Sequence, residues 1–180
     1  MKSGILASLV VSVMLISGCT NAPAYGNYSE NSQNSSSSSF LTYAQGNISI
    51  KYPAGWNITS TIYNVVFSGP VEAGFSPTLT ISAAETNETI EKAAENANKK
   101  QSVLAQHAII NEAYTTISGE PAFRRTYSWL DRAHNLAVTQ AQVWVRSSGK
   151  LYTITATSLS STFKEYEAAF DEMISSANFY

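Results

Sequence analysis

Three runs of alternating apolar and polar residues, Ala122 to Leu130, Val138 to Arg146 and Lys150 to Ser158, follow one another with only short polar turns between them. Strands joined so closely cannot lie parallel, because a parallel crossover takes about a dozen residues or more. The C-terminal half is therefore predicted to be an antiparallel meander. Ser118-Gly119-Glu120-Pro121, Asp131 to Asn135 and Ser147-Ser148-Gly149 supply its turns. His107 to Thr116 reads as a further extended segment leading into it.

Upstream, Leu41 to Ala44 and Asn47 to Tyr52 read as short strands joined at Gln45-Gly46, and Pro53-Ala54-Gly55 breaks the second. Val65 to Phe67 and Thr78 to Ala83 read as two more, separated by a Gly/Pro loop. Thr89 is the predicted N-cap of a helix whose stripe is Ile90, Ala93, Ala94, Ala97 and Leu104. Glu95 and Lys99 form a favourable i,i+4 pair on its polar face. Thr162 is the predicted cap of a closing helix with Phe163, Tyr166, Phe170, Met173 and Ile174 on one side, before a short edge strand from Ala177 to Phe179. This order predicts an α+β fold, an antiparallel sheet with helices packed on it.

The N-terminus has a different character. Lys2 precedes an uncharged stretch from Gly4 to Gly18 of 15 residues. A spanning helix needs about 20 apolar residues, so this length suits a signal h-region instead. Ile16-Ser17-Gly18-Cys19 follows, and Cys19 is the sole cysteine of the chain. The pattern resembles a lipobox: cleavage between Gly18 and Cys19, with a diacylglyceryl group on the Cys19 sulfur, is the implied processing. An ordinary secretory signal or an uncleaved anchor is the alternative. Residues 1–18 are thus read as a lipoprotein signal peptide and 19–39 as a lipidated cysteine and flexible Ser/Asn-rich tether. At about 5–6 Å × √n, such a tether reaches about 25 Å. Residues 40–180 form one domain. Asn-x-Ser/Thr sequons at Asn27, Asn34, Asn47, Asn57 and Asn87 are candidate glycosylation sites.

No catalytic constellation emerges. With Cys19 at the processing site, the domain holds no thiol nucleophile and no cysteine ligand. The two histidines, His107 and His134, make no metal-ligand spacing, so no metal and no cofactor are expected. His107 is placed at the end of the first helix, where a partly protonated imidazole would favour the dipole. His134 is placed in a polar turn with Asp131 and Arg132. No serine sits in a Gly-x-Ser-x-Gly elbow, and Asp171 and Glu172 are neighbours that point about 100° apart on a helix. The chain is therefore expected not to be an enzyme. A net charge of −2 without a basic stripe argues against a nucleic-acid partner. Alternation puts Phe123, Arg125, Tyr127 and Trp129 on one face of their strand, and Gln140, Gln142, Trp144 and Arg146 on one face of the next. If Arg125, Tyr127, Trp129 and Trp144 share a sheet face, they form a candidate binding surface for a protein or a sugar. Alternatively the rings pack under a helix and Arg125 reaches past them to water.

Ile48-Ser-Ile-Lys-Tyr-Pro-Ala-Gly-Trp56, Val65-Val-Phe-Ser68, Leu79-Thr-Ile-Ser82, Ile117-Ser-Gly-Glu-Pro-Ala-Phe-Arg124 and Gln142-Val-Trp-Val145 together resemble the PsbP-like family. The resemblance covers nearly all of residues 40–180 and implies an α/β/α sandwich and binding at a membrane face. The family includes the extrinsic PsbP subunit of photosystem II, PsbP-like assembly factors and many secreted or lipid-anchored prokaryotic members.

The expected function is a non-catalytic, lipid-anchored binding or accessory module on the outer face of the cell membrane. It would be held there by its lipid and would dock on a membrane complex or an envelope component. The alternatives are a photosystem II accessory protein in a photosynthetic host, a glycosylated structural surface lipoprotein, and a cell-surface enzyme of unknown chemistry. Cys19→Ser is expected to release the protein from membranes or to leave the precursor uncleaved. Fractionation and gel mobility identical to wild type would remove the lipoprotein reading.

Overall fold

The computed structural model describes residues 39–72 and 74–180, so the readings for residues 1–38, with Gly18, Cys19, Asn27 and Asn34, lie outside the described residues. The meander is present and longer than alternation alone indicates. Strands β1 (Phe40–Gln45), β2 (Ile48–Pro53), β3 (Asn57–Ser60), β4 (Asn64–Ser68) and β5 (Thr78–Glu85) precede helix α1 (Ile90–Gln101). Then come β6 (Ala108–Ile117), β7 (Glu120–Asp131), β8 (Leu136–Ser147), β9 (Lys150–Leu159), helix α2 (Phe163–Ser176) and β10 (Asn178–Phe179).

A seven-stranded sheet runs β3-β4-β5-β9-β8-β7-β6, and a three-stranded sheet runs β1-β2-β10, all pairs antiparallel. Both Ser-Gly turns of the meander are two-residue hairpins. Ser118 (φ 56°) and Gly119 (φ 80°), like Ser148 (φ 50°) and Gly149 (φ 77°), have the paired positive φ that a type I′ turn requires and that matches strand twist.

One face of the large sheet carries α1, through Ile90, Ala93 and Ala94 against Trp144 and Leu151. The other face carries α2 and the three-stranded sheet over an apolar core. There Phe67, Leu79, Ile81, Val143, Val145, Ile154, Phe170 and Met173 are fully buried. Trp56 meets Phe170 edge-on at 6.0 Å and Tyr152 stacks on Phe179 at 4.0 Å, tying β10 back to the core. Gly69 makes this possible near Trp56: a Cβ there would lie 2.9 Å from both the Trp56 ring and Pro77.

Three details differ from the sequence expectation. β3 was not anticipated, since four residues with a single aliphatic, Ile58, show no alternation. Helix α1 stops at Gln101, where the backbone N–H of Ser102 still reaches Asn98 O, so Leu104 leaves the stripe and is exposed. Thr89 does cap α1, its Oγ1 accepting from Lys92 N at 3.2 Å, whereas Thr162 makes no side-chain cap bond to α2. Phe170→Ala removes a fully buried ring that touches Trp56, Phe163 and Tyr166. It should lower unfolding free energy by about 3–5 kcal/mol in urea denaturation. A loss below about 1 kcal/mol would mean that the core refills the space.

Candidate functional site

Register places the expected aromatic and cationic residues together. Phe123 stands opposite Trp144, Arg125 opposite Gln142, Tyr127 opposite Gln140 and Trp129 opposite Val138. All share the face under α1. Burial then corrects the surface reading: Arg125, Tyr127 and Trp144 are buried, and only Trp129 keeps partial exposure. Alternation assigns a side chain to a face but says nothing of what covers that face, and here α1 covers it.

Arg125 is the centre of this covered region. Its Nε donates to Glu112 Oε1 at 2.7 Å, and its Nη1 donates to the Ala94 carbonyl of α1 at 2.8 Å. The guanidinium carbon lies 5.8 Å from the Phe123 ring centre and 5.6 Å from that of Trp144. One cation thus joins α1, β6, β7 and β8. Its side chain is 6% exposed, so it does not extend to solvent as the alternative sequence reading had it.

Two polar relays run outward from this point. Gln101 Nε2 donates to Gln142 Oε1 at 2.8 Å, and Gln142 Nε2 to Thr155 Oγ1 at 3.3 Å. Tyr127 donates its hydroxyl proton to Gln140 Oε1, and Gln140 Nε2 donates to Thr157 Oγ1 at 2.9 Å. Burial pushes the Tyr127 hydroxyl pKa well up, keeping it a donor. Sequence reasoning missed Glu112, Gln101 and these relays. The available signal was Gln140 and Gln142 at the centre of a strand rich in apolar residues.

His107 is not part of the helix end. It lies beyond the end of α1, with its ring 5.3 Å from that of Tyr127. Burial and, second, the Arg125 charge hold its pKa below the ordinary 6.5. His134 is exposed in the β7–β8 turn, its Nδ1 2.7 Å from Asp131 Oδ2. Asp171 pairs with Arg124 at 2.7 Å and Glu172 with Lys51 at 3.1 Å, so the two carboxylates serve separate ion pairs. Among the described residues no three His, Cys, Asp or Glu side chains converge as a metal site would require.

The accessible apolar surface lies nearby. Trp129 lines an open depression with Val103, Leu104, Leu130 and Arg132, between the loop after α1 and the β7–β8 turn. Of the ten exposed large apolar side chains among the described residues, five fall between positions 103 and 114: Val103, Leu104, Ile109, Ile110 and Tyr114. This half of the exposed set sits on one flank, the β6 side of the sheet, which marks that flank as the candidate contact surface.

The lowered His107 pKa has a pH consequence. As pH falls below 6.5, the unfolded chain takes up a proton that the folded chain resists. The stability present above that pH is therefore lost as pH falls through the lowered folded value. His107→Phe keeps a ring against Tyr127 and removes the titration. Its stability should fall less steeply than wild type from pH 6.5 down to about 5 in urea midpoints. Parallel acid limbs would show that the imidazole protonates freely in the fold.

The model of the PsbP-like protein family matches residues 3–179. Among solved structures the chain is similar to cyanobacterial PsbP (CyanoP) from Synechocystis sp. PCC 6803, at 17% identity and TM-score 0.57, over 84% of this chain and 98% of that one. It is similar to LpqN, involved in cell envelope biogenesis of Mycobacterium tuberculosis, at 16% identity and TM-score 0.57, over 78% of this chain and 88% of that one. A Pseudomonas aeruginosa protein of unknown function matches at 15% identity and TM-score 0.53, over 73% of this chain and 91% of that one. No curated protein sequence matches. At such identities the solved structures share the fold, and the family model adds a match along almost the whole sequence. The chain belongs to the PsbP-like protein family.

Proposed function

We propose that this protein is a non-catalytic accessory module, anchored by a lipid on Cys19 to the outer face of the cell membrane, that docks on a membrane complex or an envelope component. The observation that carries the docking side is the apolar flank of Val103, Leu104, Ile109 and Ile110 beside the half-open Trp129. Apolar side chains gathered at one place, with Arg132 at the margin, have the anatomy of a protein contact surface. The Arg125–Trp144 region has the opposite character, since it is buried and its Arg125 and Gln101 groups bond between α1 and the sheet.

Family membership supports the accessory reading, and the likeness to LpqN, a protein involved in cell envelope biogenesis, supports the location. No helix among the described residues is long and apolar enough to cross a membrane, and attachment in this reading rests on the acyl chains. Asn47, Asn57 and Asn87 are all exposed, so each accepts a glycan in a host with the machinery.

Affinity recovery of the full-length protein from cross-linked native membranes tests the reading. A stoichiometric partner is expected with wild type and is expected to be lost with Val103→Asp combined with Leu104→Asp. Equal recovery by the variant would move the contact off this flank, and recovery of the protein alone would count against a stable protein partner.

A further inference from the structure

Strand β6 closes the seven-stranded sheet at one side, and nine of its ten residues are exposed, Ile117 being the exception. Its sequence, Ala-Ile-Ile-Asn-Glu-Ala-Tyr-Thr-Thr-Ile, contains no Lys, Arg or Pro. Protein edges are ordinarily guarded by such residues, by shortness, by a bulge or by a covering element. The opposite edge obeys this rule: β3 has only four residues and is polar apart from Ile58. β6 carries one guard, a register break at Ile110. From Asn111 to Ile117 its pairing with β7 is unbroken, and no strand among the described residues pairs with its outer side.

Its one charge is already spoken for. Glu112 is held at 2.7 Å by buried Arg125, so the edge presents almost no net charge to an incoming strand. The midpoint of the seven residues is Tyr114, 67% exposed, with its ring steadied edge-on against Phe123 at 5.2 Å.

We propose that β6 pairs antiparallel with β6 of a second copy of this chain about a two-fold axis near Tyr114, joining two seven-stranded sheets into one. This goes beyond the docking proposed above and requires neither the lipid nor another protein. Self-pairing centred on Tyr114 sets Ala113 opposite Thr115, Glu112 opposite Thr116 and Asn111 opposite Ile117. No like charges meet in that register, and the two Tyr114 rings form a cross-strand aromatic pair on the α1 face. A two-fold axis makes both partners use the same patch, which suits an edge that is neutral and matches itself.

The test uses the full-length protein in mild detergent. Sedimentation equilibrium should show a reversible wild-type dimer. Tyr114→Lys should sediment as a monomer over the same concentrations while keeping a native circular dichroism spectrum and a cooperative melt. Thr115→Lys, on the other face of the strand, should do the same should the first variant fold poorly. Tyr114→Cys should cross-link to itself on oxidation, as residues beside a two-fold axis can. Wild type with Cys19 alone, and Ile62→Cys on the remote and fully open β3–β4 turn, should not. A wild type that is monomeric throughout would overturn the proposal. So would a dimer that survives both lysine variants and cross-links through Ile62→Cys.

Discussion

The guanidinium of Arg125 is buried where a helix meets a sheet, and a buried cation is tolerable only if its donors are met and its charge is answered. Glu112 answers the charge from β6, the Ala94 carbonyl takes a donor from α1, and Phe123 and Trp144 offer their ring faces. The helix can supply that carbonyl only because Ala93, Ala94 and Ala97 are small enough to let its backbone settle close to the strands. Alanine stripe, arginine and edge glutamate therefore depend on one another, and the Arg125–Glu112 pair adds a side-chain tie to the backbone ladder that holds β6 on β7.

The two faces of the large sheet are held by different physics. Under α2 and the three-stranded sheet the layer is mainly apolar, built from branched aliphatics and rings in contact. Its stability is that of apolar burial and close fit. Under α1 the layer is narrower and mixes rings with amides, a hydroxyl and a cation. There orientation is fixed by hydrogen-bond direction as much as by shape. The division matters for function, because Arg125 and Tyr127 are buried and bonded within the fold.

Much of the architecture was legible because its signals are local. Alternation in β7, β8 and β9, the Ser-Gly turns, and the Phe163-to-Ile174 stripe of α2 each report on neighbours within a few residues. What failed depended on distant contacts. Four-residue β3 is a strand because β4 pairs with it. Helix α1 ends before Leu104 although the stripe could continue. Alternation leaves open whether Arg125, Tyr127, Trp129 and Trp144 share a face and whether a helix covers it; the register brings them to one face, and three of them are buried under a helix from earlier in the chain. The His107 environment depended on the same cover, since nothing near it in sequence announces Tyr127 or Arg125.

The alanine stripe also bears on how the molecule comes apart. Small side chains let α1 sit close, but they bury little area per residue, so lifting this helix exposes far less apolar surface than disturbing α2 would. Opening equilibria in a domain are graded by the surface each unit must uncover, and α1 forms the natural low-energy unit here. Lifting α1 would break the Arg125–Ala94 contact and uncover Tyr127 and Trp144, which are sealed while the helix is seated.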